Sequence, residues 1–461
     1  MSVPAWFARG IFRAQERVLG RRTFDVLAEL EATQWLSPCA LRAYQAARLN
    51  ALLQTALVHS PWHAARLRAA GLDDAVRAGT MSLADLRRLP TMSRQDAREH
   101  MDAMVWRGVP GGAHRYTTGG SSGEPLIFHF GRERQASDAA GRMRARRWWG
   151  VEPGEREVYL WGAPIELNRT DRIKILRDRL VNQLLLNAFE MSPSAMDRYL
   201  EAIEAWQPRC LYGYASSLAL LAAHAEARGR EPRLPVLRVV CATGEALYPH
   251  QRELLQRVFG APVANEFGSR DIGFTAHEAP GGQMLLMSES HIVEALDEAG
   301  SPVAAGEAGE AVITSLVSAA QPFVRYRTGD VVRLSTATAA DGRGLHVIDE
   351  VAGRKTDFVV APDGRIMHAL ALIYVVRALP GIAQFKCVQR ALDRIEVQIV
   401  PAAGWDDAGA HAVVAGMQAR LGDDVAVEVR LLEDIPPERS GKHRYVVSEV
   451  PLAAALAHAT A

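Results

Sequence analysis

Hydrophobic and polar positions follow two different periods along this chain. Through residues 1–105 apolar side chains recur at helical spacing, which predicts a helical part. Within residues 40–67 the apolar stripe consists of Leu41, Tyr44, Leu49, Leu52 and Leu53. Residues 82–85 resemble the capping box that begins a helix, and Leu89-Pro90 would end this helix. Ser93 is placed to cap a second helix that would run to Met104. We expect this helical part to be a structural scaffold, because it contains no obvious catalytic or binding motif.

From residue 106 the pattern changes to short apolar runs that alternate with amphipathic segments. Strands are predicted at residues 126–130, 157–162, 209–214, 236–241 and 263–267. Helices are predicted at residues 196–206 and 216–227, and after Pro249. Such alternation predicts a mostly parallel sheet, and ligands of such sheets gather where the strands end.

After residue 284 short strands and turns predict an antiparallel or barrel-like part, and from residue 353 a small α+β domain follows. The predicted fold class is therefore α/β, with mostly parallel sheets plus a β-barrel-like part. The predicted large N-terminal domain spans residues 1–352, divided into a helical part (1–105), an α/β core (106–283) and a β-rich part (284–352). The small C-terminal domain spans residues 353–461.

Composition narrows the class of protein. The chain has 461 residues, 48% hydrophobic and 23% charged, which is typical of a soluble globular protein of more than one domain. Lys plus Arg equals Asp plus Glu at 53 each, so global charge does not favour nucleic acid or membrane. The four cysteines are far apart, which fits a reducing compartment. With no apolar run of about 20 residues and no signal-like segment, a cytoplasmic protein without stable membrane insertion is expected.

Two basic and aromatic stretches leave alternatives open. The stretch at residues 5–13 could rest on a membrane surface or dock on its own protein. An arginine-rich helix contains Arg142, Arg144, Arg146, Arg147, Trp148 and Trp149. It could bind nucleic acid, but the zero net charge favours the alternative, a helix whose arginines face solvent while its two tryptophans lie in the core.

Residues 116–125 hold three glycines and four Ser or Thr hydroxyls, which suits a loop that closes on phosphate with its backbone N–H groups. A plain surface turn is the alternative. Gly119 to Gly123 also match G-x-S-x-G, but a strand-like segment follows instead of a helix, which disfavours a hydrolase. The loop lacks the lysine of a Walker P-loop.

Four further motifs follow, each compatible on its own with a turn or a salt-bridged surface. They are E-F-G-S-R-D at 266–271, R-Y-R-T-G-D at 325–330, G-R-K-T-D at 353–357 and S-G-K-H-R at 440–444. In this order and with these separations, the set resembles the acyl-adenylate-forming (AMP-binding) superfamily. Within it the chain looks most like the phenylacetate–CoA ligase branch with its capsular-polysaccharide-associated relatives, because of the helical N-terminus, residues 212–217 and the compact length.

The resemblance implies an AMP-forming acid–thiol ligase with a mobile C-terminal lid hinged near residues 353–357. A carboxylate would attack the α-phosphate of Mg·ATP to give acyl-AMP and pyrophosphate, and the acyl group would then pass to CoA. An amine acceptor, giving an amide, is the nearest alternative. A non-catalytic nucleotide-binding relative is a third, against which Lys442, Asp330 and the glycine loop argue. The acid and the oligomeric state are not predicted.

The resemblance also implies roles for individual residues. The phosphate loop consists of Thr117, Thr118, Gly119, Gly120, Ser121, Ser122 and Gly123. The AMP-binding set consists of Phe267 over the adenine, Gly244, Glu245 and Asn265 beside it, Glu266, Gly268 and Ser269 around it, and Asp330 with Arg354 at the ribose. The catalytic set consists of Lys442 at the reacting carboxylate and α-phosphate, Asp271 as the Mg²⁺ ligand, and Arg354. The acyl pocket is placed near Trp161, Tyr212, Tyr214 and Gly244.

Three positions depart from the superfamily pattern. Leu126 stands where a lysine usually follows the loop proline, which predicts weaker pyrophosphate binding. Asp271 replaces the usual glutamate and is one methylene shorter, so coordination of Mg²⁺ through water is expected. Thr356 replaces a charged residue at the hinge. These departures put the rate of the expected ligase reaction in question, and none of them abolishes the adenylation chemistry.

Overall fold

The computed structural model describes residues 3–117, 126–161, 177–188, 191, 193–354, 358–363, 366–368, 370–436 and 444–450. The chain divides into two compact units, Met1–Ala352 and Gly353–Ala461. Within the described ranges, no helix is both long and apolar enough to cross a membrane.

The first hundred residues are mainly helical, although the helix predicted before Leu89-Pro90 is a 3₁₀ turn and the one predicted from Ser93 to Met104 is divided at His100 into two helices. The α-helices are α1 (Ala5–Val18), α2 (Thr23–Thr33), α3 (Pro38–His59), α4 (Pro61–Ala69), α5 (Asp73–Ala78), α6 (Arg94–Glu99) and α7 (Met101–Met104), with a 3₁₀ turn at Asp85–Arg88. Ser93 begins α6 with a capping box, since its hydroxyl accepts from the Asp96 N–H and the Asp96 carboxylate accepts from the Ser93 N–H. Leucines of α3 and α4 pack with Leu316 and Val324, which fixes this helical layer to the sheet of the same unit.

The predicted parallel layer is present. A hairpin of β1 (His114–Thr117) and β2 (Ile127–Phe130) precedes α8 (Arg132–Trp148). The layer itself contains β3 (Glu157–Trp161), β4 (Gln183–Asn187), α9 (Pro193–Trp206), β5 (Cys210–Tyr214), α10 (Ala215–Ala227), β6 (Val239–Thr243), α11 (Pro249–Phe259) and β7 (Val263–Ser269). Strands β3 to β7 pair in parallel, and α9, α10 and α11 cover one face through a large apolar cluster.

The β-rich segment is an antiparallel extension of the same sheet. It contains β8 (Gly273–Glu278), β9 (Met284–Leu286), β10 (His291–Leu296), β11 (Ala308–Ser315), β12 (Tyr326–Thr338) and β13 (His346–Arg354). The strand order is β10-β11-β12-β13-β9-β8-β7-β6-β5-β3-β4, so β7 has a parallel neighbour on one side and an antiparallel one on the other.

Helix α8 corrects one expectation. Its arginines do not form a solvated face, because Arg144 is fully buried against Glu289 and Arg146 is buried against Glu157. Arg144 also donates to the Leu30 carbonyl oxygen at 2.9 Å, which ties α2 to α8. Buried arginines paired with carboxylates serve the packing of this unit and are not available to nucleic acid.

The second unit is the predicted small α+β domain. It contains β14 (Phe358–Val360), β15 (Ile366–His368), α12 (Leu370–Arg377), β16 (Ile382–Ala391), β17 (Arg394–Pro401), α13 (Asp407–Leu421), β18 (Ala426–Leu431) and β19 (Val446–Ser448). Its main sheet has the order β18-β17-β16-β19. The central pair is antiparallel and both outer strands pair in parallel.

Candidate active site

Strands β3, β5, β6 and β7 run in parallel and end at one edge of the sheet. Their registers place Leu160 beside Gly213, Tyr214 beside Thr243, and Thr243 beside Glu266. Because ligands of parallel sheets bind outside the carboxyl ends of the strands, this edge is the candidate active site. Most of the predicted site residues that the structure describes lie on this edge or directly after it.

Three aromatic side chains stack at the ends of β3 and β5. The Trp161 ring centroid lies 4.3 Å from that of Tyr214 and 5.7 Å from that of Tyr212, with interplanar angles of 22° and 27°. Tyr212 and Tyr214 are buried. Gly213 lets the two strands approach, since a Cβ there would lie 2.6 Å from the Leu160 carbonyl oxygen. The structure thus brings together the aromatics predicted for the acyl pocket, and that role stays a prediction.

The Glu266 carboxylate is a buried polar centre at the end of β7. Its Oε1 accepts from the Tyr212 hydroxyl at 2.8 Å and from the Thr243 hydroxyl at 2.9 Å, and Arg142 Nε lies 3.6 Å away. Burial, followed by the nearby Glu266 charge, raises the pKa of Tyr212 far above its ordinary value, so the phenol remains a donor. Glu266 therefore links three strands beneath the predicted nucleotide site.

Asp271 follows β7 in a tight turn and is buried. One carboxylate oxygen accepts from the Ser269 hydroxyl at 2.5 Å, and the other accepts from the Tyr326 hydroxyl at 2.8 Å. Burial, followed by the Asp271 charge, raises the pKa of Tyr326 well above its ordinary value. Tyr326 is therefore a fixed donor that orients the carboxylate predicted to bind Mg²⁺.

Arg134, in the first turn of α8, holds the backbone of the same turn. Its guanidinium donates to the carbonyl oxygens of Arg270 and Asp271, each at 2.5 Å. The side chain is buried over the rings of Phe128 and Phe130, with Cζ 5.5 and 5.8 Å from the ring centroids. A planar, rigid donor of this kind fixes two carbonyls at once.

The segment after β6 contributes Gly244 and Glu245. Gly244 has φ 75°, a left-handed conformation that favours glycine. Glu245 Oε2 accepts from the Ser216 N–H at 2.9 Å, so its carboxylate caps the start of α10. Half-buried Asn265, on β7, donates its backbone N–H to Glu278 Oε2 at 2.9 Å.

Phe267 and Gly268 lie where β7 begins to pair with β8. Phe267 is 9% exposed and packs in a cluster that includes Leu126 and Phe128. Its predicted stacking on adenine stays a prediction. A Cβ on Gly268 would lie 2.4 Å from the Gly273 carbonyl oxygen, so the strand pairing requires glycine there. Leu126 is fully buried in this cluster, which gives a packing reason for an apolar residue where lysine is usual.

Asp330 lies on β12, half-buried, directly after Gly329 with φ 78°. Its N–H donates to the Thr328 hydroxyl at 3.1 Å. Tyr326 begins the same strand, so β12 connects Asp330 with the Asp271 turn.

Several predicted residues lie outside the described residues: Thr118, Gly119, Gly120, Ser121, Ser122, Gly123, Thr356 and Lys442. Thr117 ends β1 and is exposed. Arg354 ends β13, and only its backbone is described. For these residues the roles remain predictions.

Sequence reasoning missed four residues that shape this edge: Arg134, Arg142, Thr243 and Tyr326. Tyr326 lies inside the R-Y-R-T-G-D motif, in which only Asp330 was assigned a role. Thr243 lies between the strand predicted at residues 236–241 and Gly244, a position that indicates a strand end, and it ends the observed β6. For Arg134 and Arg142 no local signal exists, because their partners are distant in sequence.

Among the described residues, no group of three or more His, Cys, Asp or Glu side chains could hold a metal ion. A cavity of about 310 Å³ lies elsewhere in the first unit, lined by residues including Glu29, Tyr44, Arg48, Glu133 and Ser290. None of its lining residues is a predicted site residue, so it is not the candidate active site.

Comparison with known proteins gives three kinds of match. The CapK C-terminal domain family matches residues 359–449. Protein CapK from Staphylococcus aureus is 20% identical over 377 residues, covering 80% of this chain and 82% of that protein. The phenylacetate–coenzyme A ligase of Thermus thermophilus is 24% identical over 370 residues, covering 78% of this chain and 81% of that protein.

The fold has solved counterparts. The crystal structure of 2-hydroxyisobutyryl-CoA ligase in the postadenylation state in complex with R3-HIB-AMP aligns with a TM-score of 0.67 and 22% identity, covering 90% of each chain. These matches confirm the resemblance and the α/β fold class predicted from the motifs. The chain is a homologue of CapK and of the phenylacetate–coenzyme A ligases, with the fold of the adenylate-forming CoA ligases.

Proposed function

We propose that this protein is an ATP-dependent acid–thiol ligase, which activates a carboxylic acid as acyl-AMP and transfers the acyl group to CoA. The observation that carries the proposal is the match to the phenylacetate–coenzyme A ligase of Thermus thermophilus over 78% of this chain. The clustering of motif residues at one strand edge supports it, because that edge is where parallel sheets bind ligands.

In the first half-reaction a carboxylate oxygen forms a bond to the α-phosphorus of ATP, and the bond from that phosphorus to the bridging oxygen breaks. Pyrophosphate leaves with the electron pair. Negative charge develops at the α-phosphate, and Lys442 would stabilise it, contributing about 10²–10³ in rate. The loop of residues 117–123 would hold the β- and γ-phosphates through N–H and hydroxyl groups.

The nucleotide would bind along the ends of β6, β7 and β12. Gly244, Glu245 and Asn265 would line the adenine pocket and Phe267 would cover it. Asp330 would accept from the ribose hydroxyls, with Arg354 assisting. The close β7–β8 pairing at Gly268 and the Tyr326–Asp271 hydrogen bond support a preorganised nucleotide side.

The residues near Asp271 fit a magnesium ion bound mainly by phosphate. Its two oxygens each accept one protein hydrogen bond, and a carboxylate oxygen has a second lone pair for a cation or its water. Mg²⁺ is commonly held by one or two carboxylates together with substrate phosphates, which suits a site with a single carboxylate. The ion, when bound, neutralises phosphate charge.

In the second half-reaction the CoA sulfur forms a bond to the acyl carbon, and the bond from that carbon to the phosphate oxygen breaks, releasing AMP. We take residues 353–461 as the mobile lid, hinged near residues 353–357. The stacked Trp161, Tyr212 and Tyr214 suit an aryl or medium-sized apolar acid. Free cysteines fit a cytoplasmic, reducing location.

Pyrophosphate release across a panel of aryl, fatty and amino acids tests the proposal. Each acid is assayed with ATP and Mg²⁺, with no acceptor, with CoA, and with an amine mixture, and products are identified by mass. Acid-dependent pyrophosphate release with an acyl-CoA product is expected. Acyl-AMP that yields only amides would overturn the thiol step, and no release from any acid while ATP still binds would overturn the ligase.

A further inference from the structure

The N-terminal helix α1 is anchored on one side and open on the other. Before it, the Asn182 side chain accepts from the Val3 N–H at 3.1 Å and donates to the carbonyl oxygens of Val3 and Gly154, both at 2.8 Å. On the inner face Ala8 is buried, and the Phe12 ring packs edge-on against Phe24 at 5.8 Å. The expectation that this stretch docks on its own protein therefore holds for its inner face.

The outer face keeps its largest apolar side chains in water. Trp6 is 69% exposed, Phe7 42% and Val18 88%. The Trp6 and Phe7 rings contact each other edge to face at 5.7 Å, so they form one aromatic pair. Packing within this chain does not account for two large aromatic side chains at these positions, because both remain exposed. Exposed aromatics of this size are typical of an interaction surface.

The same face carries positive charge without a balancing acid. Arg9, Arg13 and Arg17 are exposed, and within the described part of the chain none of them forms an ion pair. The Arg13 guanidinium also lies over the Phe24 ring, 4.9 Å from its centroid, so Arg13 stands at the border between the outer and the inner face. Trp6, Arg13 and Arg17 are spaced i, i+7 and i+11, which places them on one side of the helix. The only acid of α1 is Glu16, which is buried, accepts from the Thr23 hydroxyl at 2.5 Å and faces Arg21.

We propose that the outer face of α1 is a docking surface for an anionic lipid bilayer, with the whole protein resting peripherally on it. The surface is defined by Trp6, Phe7, Arg9, Arg13, Arg17 and Val18. Arginines are attracted to the negative surface, and an aromatic pair inserts at the level of the headgroups. The protein's balanced charge of 53 against 53 makes this attraction local to α1. A single-stranded nucleic acid would instead need a charged groove that tracks its backbone.

Vesicle sedimentation of the full chain tests the proposal. The protein should bind vesicles of equal phosphatidylglycerol and phosphatidylcholine, bind pure phosphatidylcholine much more weakly, and dissociate as salt is raised. The double variant Arg13→Gln, Arg17→Gln should bind about 25-fold more weakly, since each arginine near an anionic surface contributes about five-fold. The double variant Trp6→Ala, Phe7→Ala should lose about ten-fold or more.

Matched controls separate this surface from general charge and hydrophobicity. The double variant Arg68→Gln, Arg420→Gln lowers the net charge by as much as the α1 arginine variant, at exposed positions outside α1. The variant Trp35→Ala removes a tryptophan outside α1 that is 55% exposed. Both controls should bind like the wild type. Equal loss in the controls, equal binding to neutral vesicles, or no effect of the α1 variants would overturn the proposal.

A second readout does not depend on affinity. Brominated lipid in the anionic vesicles should quench tryptophan fluorescence of the wild type more than that of Trp6→Phe. Equal quenching would overturn insertion of Trp6. Binding to single-stranded RNA that depends on the α1 arginines and exceeds vesicle binding would overturn the lipid assignment.

Discussion

Replacing Tyr326 by Phe removes one oxygen atom from the candidate site. The ring remains in its cluster beside Phe323, and the hydroxyl that donates to Asp271 at 2.8 Å is lost. Asp271 then keeps the Ser269 hydroxyl as its remaining described side-chain donor. A hydrogen bond to a charged group contributes about 1.5–3 kcal/mol, and burial of both partners places this bond in that range.

Two measurements should respond. The free energy of unfolding in denaturant should fall by about 1.5–3 kcal/mol, because the buried carboxylate loses a donor. The kcat/KM for acid-dependent pyrophosphate release should fall about 10–100-fold, which is the usual effect of removing a residue that orients a metal-binding group.

Tyr44→Phe is the matched control. It also removes a phenol that donates to a carboxylate, Glu29, at 2.5 Å, but that carboxylate is 45% exposed and water can replace the donor. We expect a loss of stability under about 1 kcal/mol and unchanged pyrophosphate release. If Tyr326→Phe lowers stability as expected yet releases pyrophosphate at the wild-type rate, the hydroxyl only supports the fold and the assignment of Asp271 is refuted.

Three further variants test other residues. Lys442→Ala should lower the adenylation rate by about 10²–10³ while ATP still binds, and an unchanged rate would remove Lys442 from the mechanism. Asp330→Asn should weaken ATP binding by about ten-fold or more in calorimetry, because a charged acceptor to the ribose is lost, and equal affinity would contradict that role. Burial, followed by the charge of Arg66, lowers the pKa of His63 to about 3. The unfolded chain therefore takes up a proton below about pH 6.5 that the folded chain does not, so stability should fall by up to about 1.4 kcal/mol per pH unit towards pH 3. His63→Gln should flatten that slope, and an identical slope would show that another group causes it.

The sequence predicts the strand edge well, because strand and helix periodicity and the glycine motifs are local properties. The sequence predicts the ends of individual strands less accurately. The strand predicted from residue 236 begins at Val239, since Leu237 donates its N–H to the Leu234 carbonyl oxygen in a turn. In the arginine-rich helix, the pattern of side chains alone could not reveal that Arg144 would be buried against Glu289.

Contacts between distant segments could not be predicted. Tyr326 and Asp271 are 55 positions apart, and Arg134 and Asp271 are 137 positions apart. Their meeting depends on the strand order and on the placement of α8, which no single segment encodes. The residues that orient the site therefore emerge only with the fold.

The hydrogen bond from Tyr212 to Glu266 has a consequence for redesign of the acid preference. Tyr212 stacks on Trp161 with its ring and holds β7 with its hydroxyl, and Tyr214 stacks on the same Trp161 ring. If these aromatics line the acyl pocket, as we propose, substituting Tyr212 should alter acid selection and the position of the Glu266 carboxylate together. Variant libraries should begin at Trp161 and vary Tyr212 only together with Thr243, the other hydroxyl donor to Glu266.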